Sequence, residues 1–171
     1  TFSVKGLIYA SSSSVYGNNN FKPFGEIDNT DCPISFYAAT KKSCEVMSHA
    51  YSHLYKIPIT MLRFFTVYGP WGRPDMAMYI FTNKILNDEP INVFNHGEMQ
   101  RDFTYIDDII LGIRSSMDRN YKYEVFNLGN NKSENLMSMI EIIESTLGKK
   151  ANINFMGMQP GDVKKTFADI D

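Results

Sequence analysis

Tyr37 and Lys41 are the residues of this 171-residue chain whose types and spacing point most directly to chemistry. They stand four apart in Ser35-Phe36-Tyr37-Ala38-Ala39-Thr40-Lys41, just inside what reads as a helix N-terminus. Four residues advance an α-helix by just over one turn, so the two side chains share a stripe, about 40° apart. A phenol beside a fixed ammonium is more acidic than a free one, because the cation favours the phenolate. Such a pair can take a proton from an alcohol and return it. The same spacing also describes an ordinary surface pair, and alone it does not choose between the two.

The flanking stretches give the pair a context. Upstream, Leu7-Ile8-Tyr9-Ala10-Ser11-Ser12-Ser13-Ser14-Val15-Tyr16-Gly17 is an apolar run that ends in hydroxyls. Downstream, Met61-Leu62-Arg63-Phe64-Phe65-Thr66-Val67-Tyr68-Gly69-Pro70 reads as a second strand that ends in a glycine turn. A serine-ended strand, a Tyr/Lys helix and this second strand, in that order, resemble the extended short-chain dehydrogenase/reductase family. Within it the chain resembles the nucleotide-sugar epimerases, and among these the UDP-glucuronate 4-epimerases. The resemblance runs through nearly the whole chain.

Composition narrows the alternatives. Hydrophobic residues make up 43% and charged residues 21%, as in ordinary globular proteins. A net charge of -2 argues against a nucleic-acid or anionic-membrane partner. No apolar stretch approaches the ~20 residues of a membrane span, and no leader-like segment opens the sequence, so a cytoplasmic protein is expected. Cys32 and Cys44 form neither a metal spacing nor a disulfide framework. His49 and His53 share a helical stripe but have no third ligand in view, and the Asn131-Lys132-Ser133 sequon is read as idle. The ten methionines are scattered at core-like positions and are read as packing.

Alternating strand and helix signals predict an α/β fold. Apolar Lys5–Ser12 and Ile59–Phe65 read as buried parallel strands whose ends share the ligand-binding carboxyl edge. Residues 17–30 read as a loop. Ser35 is a plausible N-cap, and Pro58 ends the helix it starts. On that helix Phe36, Thr40, Ser43, Met47, Ala50 and Leu54 form the stripe expected to pack. Beyond lie a rigid turn with a buried Trp71, helices near 76–87 and from Asp107 or Asp108, and strands at 91–94, 125–128 and 152–155. Ile109, Ile110, Ile113 and Met117 are expected inward on the second of these helices. Leu136, Met139, Ile140, Ile143 and Leu147 make an amphipathic helix ended by Gly148.

The resemblance implies the second half of a Rossmann NAD-binding domain in residues 1–68. Residues 69–171 would be mainly a smaller substrate-binding lobe, with a strand near 124–128 able to return to the Rossmann sheet. The glycine-rich loop that seats a dinucleotide pyrophosphate does not occur in the sequence, which is therefore read as an internal fragment.

The resemblance also implies NAD as cofactor and a UDP-sugar as substrate, inverted at C4 by transient oxidation. Tyr37 would be the acid/base, Lys41 would hold it and the nicotinamide ribose, and Ser12 would bond the reacting oxygen, with Ala10 and Phe65 beside the cofactor. Ser13 and Ser14 stand where sugar dehydratases carry Asp-Glu, and Ser14 where UDP-glucuronate decarboxylases place a glutamate, which leaves epimerisation. Arg101 would reach the diphosphate, Asp162 a ribose hydroxyl, and Ser14 and Val93 other parts of the substrate. Thr66 and Arg73 would take the C6 carboxylate, Thr66 replacing the asparagine of the galactose branch. A salt bridge from Arg73 to Asp75 is the alternative. Family members commonly pair through the helix that starts at Ser35, so a homodimer is expected. Epimerisation of neutral UDP-hexoses and an inert nucleotide-sugar-binding module are the competing functions.

Overall fold

A computed structural model describes residues 4–18, 23–119 and 121–171. Residues 1–3, in the opening segment, 19–22, in the 17–30 loop, and 120 lie outside the described residues.

The most apolar strand signal, β2 (Ile59–Phe64), is buried from Ile59 to Arg63. Burial of successive residues means that both faces of the strand are covered, as in parallel sheets. β1 (Leu7–Ser12) and β7 (Tyr123–Leu128) flank it, both parallel, with Leu7 and Tyr123 opposite Ile59. In this register Ser12, Phe64 and Leu128 come level at one carboxyl edge.

The helix α1 (Phe36–Tyr55) links β1 to β2. Its N-cap is Ser35, whose Oγ accepts from the Ala38 amide at 3.1 Å, and it closes at Lys56 in the left-handed conformation, before Pro58. The face it buries differs from the one expected. Phe36, Thr40, Ser43, Met47, Ala50 and Leu54 are all exposed, and the buried stripe is Ala38, Glu45 and Ser52. The helix packs by a polar stripe because the sheet beneath offers a buried arginine, described below.

After β3 (Thr66–Tyr68) the chain turns at Gly69, where φ is +141° and a Cβ would lie 2.5 Å from Ile106 Cγ2. Only glycine fits there. The expected burial of Trp71 does not hold: it is fully exposed, at a φ of +63° that turns the side chain out. β6 (Phe103–Tyr105) pairs in parallel with β3 and leads into α3 (Ile106–Met117), which packs on β1 and β2. On α3, Ile109 and Ser116 are buried, whereas Ile110 and Met117 are exposed. The inward stripe runs at i, i+3, i+7 and i+10 from Ile106, one position off the expected end.

A second apolar core, the lobe core, gathers Phe81 and Ile85 of α2 (Ala77–Leu86), Ile91 and Val93 of β4 (Ile91–Val93), and Met139, Ile140 and Ile143 of α4 (Leu136–Leu147). β9 (Ile153–Phe155) pairs in parallel with β4. β5 (Gln100–Arg101) pairs antiparallel with β8 (Glu134–Asn135). Met61, Met99 and Met139 are buried, but Met47, Met117, Met156 and Met158 are exposed, so the methionines are not uniformly core residues.

Asp102, between β5 and β6, is wholly buried and joins three segments. Its carboxylate accepts from Thr104 Oγ1 at 2.9 Å, the Asn130 amide at 2.8 Å and the Ala168 amide at 3.0 Å. A Cβ on Gly129 would press on this carboxylate at 2.9 Å and on Ala168 Cβ at 2.5 Å, so the crossing needs a glycine.

Candidate active site

At the carboxyl edge of the main sheet lies an open cleft of about 730 Å³. Ala10 and Ser12 line it from the end of β1 and Ser14 from the turn that follows, Tyr37 and Lys41 from the first turns of α1, and Phe65 and Thr66 from the junction of β2 and β3. Arg73 lines it from the turn after β3, and Arg101 and Asp162 from the lobe side. Val93 does not line it. Alternation along β4 points Val93 into the lobe core, where it is wholly buried.

Ser12 is extended and caps a short 3-10 turn, Ser13–Tyr16, its Oγ accepting from the Ser14 amide at 3.2 Å. That bond uses a lone pair and leaves the hydroxyl proton free to be donated. The Ser14 Oγ is buried at the cleft wall and, among the described residues, has no hydrogen-bond partner. A buried hydroxyl without a partner is costly unless a ligand or water meets it.

Tyr37 is 53% exposed, with its ring open to the cleft. Lys41 Nζ lies 5.8 Å from the Tyr37 ring centroid and 5.2 Å from that of Tyr9, and donates to the Ala10 carbonyl at 2.9 Å. The ammonium is thus tied to the end of β1 and flanked by two aromatic faces. Tyr9 is a poor candidate for proton transfer, because burial and its bond with Cys44 push its phenol up to about 12. Burial also raises Tyr16, against the opposing effect of Arg63, and its hydroxyl is committed to Asn127 at 2.7 Å.

Arg73 and Asp75 form a two-bond fork at the cleft mouth, Nε to Oδ1 at 3.0 Å and the second nitrogen to Oδ2 at 2.5 Å. Both are mostly exposed, and the bonds from Arg73 hold the Asp75 carboxyl below its usual range. Arg101 is far less open. It bonds Asp162 Oδ1 at 2.7 Å and the Gln100 carbonyl at 2.9 Å. Burial lowers its guanidinium pKa, with Asp162 offsetting part of that effect.

The residues that sequence reasoning missed lie under the cleft. Arg63, in the middle of β2, bonds both oxygens of Glu45, and Tyr16, Asn127 and Ser11 complete the cluster. Burial alone would raise the Glu45 carboxyl, but the bonds from Arg63 and Ser11 outweigh it and hold it below the usual range. Two signals were readable: an arginine inside an apolar strand needs a buried anion, and Glu45 stands four residues after Lys41.

The sheet order, the crossover helix and the cleft at the strand ends define a Rossmann-type α/β protein. Comparison with known sequences then gives the family. The chain belongs to the NAD dependent epimerase/dehydratase family, matched over residues 1–129. It is 53% identical to Protein CapI of Staphylococcus aureus over 99% of this chain and 56% of that protein. It is 48% identical to UDP-glucuronate 4-epimerase 1 of Arabidopsis thaliana over 96% of this chain and 42% of that one. The chain thus spans about half the length of these relatives. Among solved structures, UDP-glucuronic acid 4-epimerase from Bacillus cereus, in complex with UDP-glucuronic acid and NAD, superposes with a TM-score of 0.93. That structure is 39% identical and is matched over 99% of this chain and 54% of its own. Among the described residues no helix is long and apolar enough to cross a membrane, and no three His, Cys, Asp or Glu side chains group so as to hold a metal ion.

Proposed function

We propose that this chain carries the proton-transfer and sugar-binding part of an NAD-dependent 4-epimerase that interconverts UDP-glucuronate and UDP-galacturonate in the cytoplasm. The observation that carries this reading is the gathering of Ser12, Tyr37, Lys41, Thr66, Arg73 and Arg101 around one cleft at the strand ends. The similarity to enzymes whose names specify this reaction supports it.

The residues present suit the nicotinamide end of the cofactor. Ala10 and Phe65 form a mostly apolar shelf at the strand ends, and the Lys41 ammonium stands beside it. The chemistry that bound NAD supplies is reversible hydride acceptance at the sugar C4. Tyr37 takes the C4 hydroxyl proton as the carbon is oxidised and returns it when the other face is reduced. Ser12 donates its free hydroxyl proton to the reacting oxygen, stabilising charge as it develops. Lys41 steadies the phenolate electrostatically and can hold a ribose hydroxyl.

Arg101 binds the diphosphate, Asp162 a ribose hydroxyl, and the unpartnered Ser14 hydroxyl a substrate oxygen. Thr66 and Arg73 hold the C6 carboxylate. A 4-keto uronate is a β-keto acid, so holding that carboxylate also keeps it from the geometry that favours loss of CO₂.

Tyr37→Phe in the full-length protein tests the chemistry: turnover should fall by at least ~10²-fold with little change in KM. Near-normal turnover would remove Tyr37 from the mechanism. The fork between Arg73 and Asp75 supports a second reading, in which Arg73 is structural and the substrate is a neutral UDP-hexose. Equal turnover of UDP-glucose and UDP-glucuronate would favour it. The exposed stripe of Phe36, Met47, Tyr51 and Leu54 supports pairing of two copies through α1. Light scattering that reports a monomer at tens of micromolar would refute that.

A further inference from the structure

The contact between α1 and the sheet is made by an ion pair rather than by an apolar face. Ala38, Glu45 and Ser52 recur every seven residues along the buried stripe, and Glu45 is the one with reach. Its Oε1 accepts from Arg63 Nε at 2.9 Å and Ser11 Oγ at 2.6 Å, and its Oε2 from the second guanidinium nitrogen at 2.8 Å. The third nitrogen of Arg63 donates to the Tyr16 hydroxyl at 3.0 Å and the Glu26 carbonyl at 3.2 Å. Tyr16 in turn donates to Asn127 Oδ1 at 2.7 Å. One carboxylate on the helix is therefore tied to β1 through Ser11, to β2 through Arg63 and to β7 through Asn127.

Glu45, Lys41 and Tyr37 lie on one winding stripe, at steps of about 40° and about 6 Å. An apolar stripe can rotate or slip against a sheet with small loss, whereas a planar two-bond fork accepts one geometry. We propose that Glu45 and Arg63 are positioning residues for Tyr37 and Lys41: the fork fixes the rotation and axial place of α1 on the sheet, and hence where the phenol stands relative to Ser12. At a side-chain radius of about 5–6 Å, a helix rotation of about 10° moves a side-chain tip by about 1 Å. Misplacement of that size costs about 10²-fold in rate. The consequence for turnover rests on the acid/base reading of Tyr37; the geometric claim does not.

The test uses the full-length protein and compares Arg63→Met with the double variant Glu45→Leu/Arg63→Met. The single variant leaves a carboxylate buried alone and should lose stability and turnover together. The double variant leaves no buried charge and should regain a melting temperature within about 4 °C of wild type. Its kcat should stay about 10- to 100-fold low, with KM within about threefold of wild type. Recovery of turnover along with stability would show a purely structural pair and overturn the proposal. If the double variant stays unstable, Glu45→Asp serves in its place, because it keeps the charge but shortens the reach by one methylene. It should fold, lose kcat and keep KM; unchanged kcat would overturn the proposal. A crystal structure of the folded variant should show the Tyr37 hydroxyl displaced by about 1 Å or more relative to Ser12, and no displacement would equally overturn it. Tyr37→Phe, assayed alongside, separates the two readings. Full activity in that variant ends the acid/base reading, while the displacement still decides the positioning claim.

Discussion

Arg63 and Arg73 each grip a carboxylate through two nitrogens, yet the two forks do opposite things. The side chains of Arg63 and Glu45 are each 5% exposed, and Ser11, the Tyr16 hydroxyl and the Glu26 carbonyl make further hydrogen bonds to the pair. Those of Arg73 and Asp75 are 70% and 64% exposed, at the mouth of the cleft. Water competes for the exposed fork, so separating it costs little. Removing one partner of the buried fork leaves a charge without water or counter-charge, at a cost of about 3–5 kcal/mol. The same chemistry is a fixed joint in one place and an exchangeable contact in the other. Arg101 and Asp162 stand between them, with side chains 17% and 32% exposed.

The largest expected effect comes from breaking the fixed joint. Arg63→Met should lower unfolding stability by about 3–5 kcal/mol, read as a shift in denaturant midpoint. A loss below about 1 kcal/mol would place this pair in the same class as the exposed one. The pH dependence gives a second reading of the same joint. Glu45 has a folded pKa below its ordinary 4.5, so its contribution is fully present above that value and is lost as pH falls through the folded value. The stability gap between wild type and Glu45→Gln should therefore narrow only below about pH 4.5. A constant gap down to pH 3 would mean that the charge of Glu45 is not what holds the helix.

For the intermediate pair the expected effect is on binding. If Arg101 exchanges Asp162 for a diphosphate, Arg101→Ala removes a charge-assisted contact of about 1.5–3 kcal/mol. KM for the nucleotide sugar should rise about 10- to 150-fold with kcat much less affected. A fall in kcat alone would mean that Arg101 acts on the lobe's shape instead.

The contrast also explains what the sequence made legible. The parallel strands declared themselves as largely apolar runs at 7–12 and 59–64, and α1 and α4 by their end signals, Ser35 and Gly148. The burial expected of the first run does not hold, since only Ser11 of it is buried and Leu7 and Ala10 are exposed. The cleft residues were legible through motif order, because a parallel sheet brings strand ends to one edge. The packing face of α1 was not, since periodicity assumes that the apolar stripe turns inward. Here the apolar stripe faces out and a glutamate turns in, a choice made by an arginine eighteen residues further on. Trp71 misled for a related reason: aromatic character predicts burial, but a left-handed backbone at that residue directs the side chain outward. Val93 came from the resemblance, and strand alternation sends it to the lobe core instead.

The smallest expected effect is also the one that bears most on substrate choice. If Arg73 holds a C6 carboxylate, it must first leave Asp75, so Asp75 is an internal competitor for the substrate's own charge. Asp75→Asn keeps the shape and one of the two hydrogen bonds but removes the charge and the second acceptor. Stability should be nearly unchanged, since both partners are solvated. KM for UDP-glucuronate should fall by up to about fivefold, while KM for UDP-glucose stays put because it presents no carboxylate there. Arg73→Ala should do the reverse, eroding the preference for the acid sugar more than activity on the neutral one. The two variants thus move one ratio in opposite directions, which neither a general loss of folding nor a change in nucleotide binding can imitate. If Asp75→Asn leaves the ratio of the two KM values unchanged, Arg73 does not exchange partners. The carboxylate contact would then have to come from Thr66 without it.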